Sequence, residues 1–165
     1  MNMLRWIKRI ACVGMAAVLT AGILLGSTGV QAKKKGYAFS YKKATVHMGD
    51  PAKMFLKKAG KPKKKSSAKS CAYKGKDRTY KYKDFEIYTY SNSNNGPEYV
   101  NGIALRTSKV STKEGIRIGS SWADVKKKYG KGKDNFGIYT YTKGNSKLQI
   151  EITDDEVTNI EYIMK

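Results

Sequence analysis

Met48-Gly49-Asp50-Pro51-Ala52-Lys53-Met54-Phe55-Leu56-Lys57-Lys58-Ala59-Gly60-Lys61 and Ile118-Gly119-Ser120-Ser121-Trp122-Ala123-Asp124-Val125-Lys126-Lys127-Lys128-Tyr129-Gly130-Lys131 share one pattern. They align at an offset of 70 residues without a gap. Gly49 matches Gly119, Gly60 matches Gly130, and Lys57-Lys58 match Lys127-Lys128. Each stretch reads as a short helix with marked ends. Asp50 can cap the free N–H groups of the first, and Pro51 suits a first helical position because it has no N–H to leave unpaired. Ser120 or Ser121 caps the second. Gly60 and Gly130 stand where a helix leaves through a left-handed residue. Ala52, Phe55, Leu56 and Ala59 fall on one face, as do Trp122, Val125 and Tyr129, while the lysines point away as a solvated surface.

Working outward, strand patterns follow each helix. Tyr80-Lys81-Tyr82 and Tyr139-Thr140-Tyr141 alternate and favour strand. Phe85, Ile87 and Thr89 match Leu148, Ile150 and Ile152 as an inward face, with Glu86, Tyr88 and Tyr90 opposite. Ile103 and Leu105 match Ile160 and Tyr162 on a last strand. Asn94-Asn95-Gly96-Pro97 and Asp154-Asp155 are turn material. The expected fold is α+β: two tandem units, each a helix plus a three-stranded antiparallel meander, joined in one continuous sheet with both helices on one face. Residues 44–106 form the first unit and 115–165 the second, with 107–114 as linker. Residues 62–79 read as a basic insertion. Its charged part is expected as a mobile loop, and residues 70–74 as a possible added strand.

The other end of the chain reads as an export signal. Arg5, Lys8 and Arg9 precede an apolar run over residues 10–25, and Val30-Gln31-Ala32 supplies compact residues at a cleavage site. Cleavage after Ala32 is expected. The alternative is a retained anchor, because residues 10–30 are long enough to cross a bilayer. Residues 33–43 then form a basic N-terminal segment.

The chain has 33 Lys and Arg against 13 Asp and Glu. Removing Arg5, Lys8 and Arg9 with the signal leaves 30 bases against 13 acids, a formal net charge of +17. Such a surface suits anionic wall polymers, lipid headgroups or an acidic protein face; export argues against nucleic acid. Lys33, Lys34, Lys35, Lys61, Lys63, Lys64 and Lys65 are the clearest clusters. Cys71 is the only cysteine after residue 32, which excludes an intrachain disulfide in the exported part. It reads as a small buried side chain, with a reactive thiol as the alternative.

The order Ile-Gly-Ser, Asp-Val and Tyr-Gly over residues 118–130, then a Tyr-x-Tyr strand and Val157-Thr158-Asn159-Ile160-Glu161-Tyr162, resembles a known group. It is similar to the β-lactamase inhibitor protein fold and to the small outer-membrane lipoproteins of the barrel-assembly machinery. The resemblance covers residues 44–165 and implies a binding protein or assembly factor. In the inhibitor, the sheet surface and a protruding loop grip the target. Carried over, that implies a contact face of Tyr80, Tyr82, Tyr88, Tyr90, Tyr139, Tyr141 and Glu151, with the turn at residues 92–97 as the loop. The inhibitor's disulfides cannot form here, its loop acid is missing, and this surface is far more basic.

Catalytic chemistry finds no support in the residues. His47 is the only histidine and reads as structural. Cys and His show no metal-ligand spacing, and no serine sits in a nucleophile elbow. Asp154-Asp155-Glu156 reads as an exposed turn rather than a cation site. Gly130-Lys131-Gly132-Lys133 lacks the strand and helix that frame a phosphate loop. The expectation is an exported, non-catalytic, cofactor-free protein. An aromatic sheet face would take an envelope or secreted protein, and basic clusters would hold the molecule at an anionic cell envelope. The alternatives are an uncleaved, membrane-anchored envelope protein and an enzyme inhibitor of the β-lactamase-inhibitor type.

Overall fold

The structure is a computed structural model that describes residues 36–72 and 74–165. The export segment and the cluster of Lys33, Lys34 and Lys35 lie outside the described residues. The described residues form an α+β fold: two helices, one antiparallel eight-stranded sheet and a separate two-stranded hairpin.

The hairpin comes first. β1 (Ala38–Tyr41) pairs with β2 (Ala44–His47), with Phe39 opposite Val46. Lys42 and Lys43 make the turn at φ 45° and 60°. Two left-handed residues match the twist of the flanking strands, and two lysines hide this turn from a reading that looks for Asn-Gly. Phe39, Ala44 and Val46 are buried, so residues 38–43, expected within a basic N-terminal segment, pair with 44–47 in a hairpin that joins the core.

α1 (Lys53–Ala59) begins later than the sequence suggests. Asp50 does not cap it. Its carboxylate accepts from the His47 N–H at 3.0 Å and faces the His47 ring at 3.2 Å. Pro51 instead bridges to Tyr99. α2 (Trp122–Tyr129) does carry the expected cap: Ser121 Oγ accepts from the Asp124 N–H at 3.1 Å. Both helices end on glycine, Gly60 at φ 89°, ψ −162° and Gly130 at φ 79°, ψ −158°. Other residues essentially never adopt that conformation.

Four strands follow each helix, not three. After α1 come β3 (Lys64–Lys69), β4 (Lys76–Lys81), β5 (Phe85–Ser91) and β6 (Glu98–Leu105). After α2 come β7 (Lys133–Asn135), β8 (Ile138–Lys143), β9 (Ser146–Thr153) and β10 (Glu156–Met164). The sheet order is β3-β4-β5-β6-β10-β9-β8-β7. The stretch expected as a charged mobile loop is thus the edge strand β3, and residues 70–72 and 74 belong to no strand. Lys64-Lys65-Ser66-Ser67-Ala68-Lys69 has neither β-branched nor aromatic residues. It is a strand because β4 offers a ladder, a tertiary effect that propensity does not carry.

One row of side chains crosses the middle of the sheet in register: Tyr80, Ile87, Ile103, Tyr162, Leu148 and Tyr141. Beside it run Phe85, Leu105, Ile160, Ile150 and Tyr139. The helices meet this face. Phe55 of α1 reaches Phe85, with ring centroids 6.3 Å apart, and Trp122 of α2 lies 3.9 Å from Tyr139. Phe55, Ala59 and Val125 close one hydrophobic core with the strand residues. Asp154 and Asp155 turn β9 into β10 at φ 50° and 61°, as an exposed turn.

Candidate binding face

The six tyrosines expected on a common outer face divide between the two faces. Tyr80 and Tyr141 are only 7% and 6% exposed, and Tyr82 and Tyr139 are half-buried against the core. All four lie on the helix side and serve the fold. The Tyr80 hydroxyl donates to Glu98 at 2.7 Å, and Glu98 also pairs with Arg78 at 3.4 Å. Burial first, and this acceptor second, push the Tyr80 phenol well up. Tyr82 stacks on Phe85 at 4.6 Å and donates to the Gly60 carbonyl at 3.2 Å. Tyr141 donates to the Gly130 carbonyl at 3.3 Å, and burial pushes its phenol up to about 12. Two tyrosines therefore tie the two helix-ending glycines to the sheet. The assignment of these four to an outer contact face is corrected by the register of the strands.

Tyr88 and Tyr90 do stand on the side away from the helices, and Tyr99, opposite Tyr90, joins them with ring centroids 5.6 Å apart. Thr79, Tyr88, Gly102 and Ile163 form one row across four strands of this face. Gly102 has no side chain, so a hollow of about 360 Å³ opens between Tyr88 and Ile163, reaching Asp77 and Glu161. A Cβ at Gly102 would lie 2.9 Å from the Tyr162 carbonyl and 3.4 Å from the Tyr88 ring. Glu151 is half-buried on the same face, opposite Ile138. Sequence reasoning missed Tyr99, Gly102, Glu161 and Ile163. The parity of Ile163 with Glu161, opposite to Tyr162, was the available signal.

A charged group borders the hollow. Arg106 donates to Glu86 at 3.1 Å and to the Tyr88 hydroxyl at 3.0 Å; Tyr88 donates to Glu86 at 2.9 Å. Lys81 pairs with the other Glu86 oxygen at 3.0 Å. Burial alone would raise the Glu86 carboxyl, but the hydrogen bonds from Lys81, Tyr88 and Arg106 outweigh it and hold the group down at about 2. Glu161, which receives only the distant field of Arg106 against its burial, is raised. The depressed Glu86 means that the folded state favours the anion. Its stabilisation is complete above the ordinary value of 4.5 and is lost as pH falls toward about 2. Urea titrations across that window should show stability falling with pH, with a shallower slope in Glu86→Gln.

The turn at residues 92–97 lies on another part of the molecule. Gly96 and Pro97 line a hollow of about 440 Å³ with Pro51, Lys53 and Leu56, beside the start of α1. Lys61, Lys63, Lys64 and Lys65 are all exposed, from the end of α1 into β3. Cys71 is exposed at the β3–β4 turn, contrary to its expected burial. Among the described residues, no group of three or more His, Cys, Asp or Glu could hold a metal ion, and no helix is long and apolar enough to cross a membrane. No protein-family model, curated protein or solved structure matches the chain.

Proposed function

We propose that the chain is an exported, non-catalytic binding module that presents the helix-free face of its sheet to a protein partner in the envelope or the secreted space. The observation that carries this reading is the face itself. It holds Tyr88 and Ile163 around a hollow and the Tyr90–Tyr99 ring pair on the same side of the sheet, and among the described residues both helices pack on the opposite side. Tyrosines supply contact area and a hydroxyl at low entropic cost, which suits a protein interface. The order helix plus four strands, met twice, and the matched ties of Tyr82 to Gly60 and Tyr141 to Gly130 support two tandem units. Two tandem units are the organisation expected from the internal repeat of the sequence, with one strand more in each than the three expected. Two departures weigh against inhibition of the β-lactamase-inhibitor type: four of the carried-over tyrosines serve the core, and the turn at residues 92–97 sits beside α1.

Basic clusters add retention at an anionic envelope. A lysine near an anionic membrane contributes on the order of 1 kcal/mol before screening. The experiment is a cross-linking pull-down of the protein from its own envelope at low and high salt. Moderate salt should release the bulk of the protein, while a cross-linked fraction holding one defined partner persists. Attachment indifferent to salt would favour the uncleaved anchor; complete release with no partner would leave charge retention alone and refute the contact face.

A further inference from the structure

Beyond that face, we infer that the outer edge of β3 is a second binding surface, one that takes an extended acidic segment of another protein as a ninth strand. The sheet ends at β3, and among the described residues nothing pairs with its outer side. The ladder settles which groups point outward. The Ser70 N–H donates to the Gly75 carbonyl at 3.1 Å, and the β3–β4 register keeps the same pairing down to Lys64 opposite Lys81. In an antiparallel ladder, hydrogen-bonded and non-hydrogen-bonded pairs alternate. Ser66 and Ala68 therefore turn their backbone groups to β4, and Lys65, Ser67 and Lys69 turn theirs away from the sheet. On the other side of β4, the Tyr82 N–H donates to the Phe85 carbonyl at 2.9 Å, which fits the same alternation.

Native sheets protect an edge by keeping it short, bulged or charged. The opposite edge, β7, is three residues long and carries Asp134. β3 offers six residues in unbroken register, all exposed, and is protected by charge alone. That charge selects the occupant. A second copy of this edge would set lysine against lysine, which destabilises a cross-strand pair, whereas opposite charges stabilise it. Lys65 and Lys69 share one face of the strand with Ser67 between them. The matching segment therefore carries acids four residues apart with a small polar residue midway. Its alternate residues, over Ser66 and Ala68, are β-branched. Main-chain hydrogen bonds would supply affinity, and the acid spacing specificity.

The test uses full-length protein and a capped peptide with a Glu-Val-Thr-Val-Glu core. A matched peptide is N-methylated at Glu, Thr and Glu, keeping its charge while losing the donors that face β3. We expect the unmodified peptide to bind, to protect the amides of Lys65, Ser67 and Lys69 from exchange, and to lose about tenfold or more in affinity on methylation. Ser67→Pro should cause a similar loss, since the Ser67 N–H is not used in the ladder with β4. The peptide comparison stands even if that variant folds poorly. Failure of the unmodified peptide to bind would overturn the inference. So would equal binding of the methylated peptide, or displacement by polyphosphate as readily as by the peptide without amide protection.

Discussion

Phe85→Ala should cost about 3–5 kcal/mol, the largest loss expected of any single substitution in this core. Phe85 is fully buried. Its ring lies 4.6 Å from Tyr82, 4.8 Å from Tyr41, 5.1 Å from Phe39 and 6.3 Å from Phe55. Those partners come from the residue that follows β4, from β1 of the hairpin and from α1, so one side chain joins three parts of the fold to β5. Alanine leaves a cavity that none can fill alone, because each is held by its own backbone pairing. A domain of this size has roughly 5–15 kcal/mol of stability in total, so the variant should lie near its unfolding midpoint under mild conditions. Urea unfolding gives the measurement. Phe85→Leu should lose much less, and equal losses would show that the aromatic contacts carry little.

Paired replacement of Tyr88 and Tyr90 by alanine should weaken partner binding by about 2 kcal/mol or more, roughly thirtyfold, if they are the anchors of the open face. Both are half-buried on the helix-free side. Tyr88 also gives up its contacts with Glu86 and Arg106, so a stability loss on the order of 1 kcal/mol is expected. Tyr80→Ala and Tyr141→Ala should behave in the opposite way, because their rings lie in the core and their hydroxyls meet Glu98 and Gly130. Their main effect should be on unfolding. Quantitative capture of the isolated partner, run beside urea titrations of all three variants, separates contact residues from supports. Unchanged capture by the Tyr88 and Tyr90 double variant would remove the aromatic anchors from the account.

Much of the sheet was legible because its inner positions alternate. Phe85, Ile87, Thr89, Leu148 and Ile150 were expected inside and are buried, Ile152 of the same set is half-buried, and Ile103, Leu105, Ile160 and Tyr162, expected on a last strand, are buried as well. The helix faces were legible through a different period, the three- and four-residue spacing of Ala52, Phe55 and Ala59 and the matching Val125. The misplacement of four tyrosines has a specific cause. Tyr82 and Phe85 flank a two-residue turn, Lys83-Asp84, and residues that flank such a turn oppose each other on one face. If Phe85 points inward, Tyr82 and Tyr80 must do so as well. Gly144-Asn145 places Tyr141 opposite Leu148 by the same rule. Residue type suggested an outer aromatic face, and turn length decides against it. The lysine-rich β3 and the Lys42-Lys43 hairpin were illegible for another reason. The strand character of β3 comes from its pairing partner, since its side chains carry no alternating pattern, whereas in the hairpin Ala44 and Val46 do alternate with Thr45 and His47 and only the lysine turn concealed the pairing. Gly102 was passed over because an empty position in a strand signals a hollow only once its neighbours across the sheet are known.

The contact face is tested most directly by a photoreactive amino acid placed at Thr79 or Ile163, and in parallel at Lys127, in cells that make the protein. Thr79 and Ile163 flank the hollow on the open face, while Lys127 is exposed on α2. Irradiation should yield one adduct of defined mass from both open-face positions and none from Lys127. An adduct from Lys127 alone, or equal adducts from all three, would contradict a partner bound to the helix-free face.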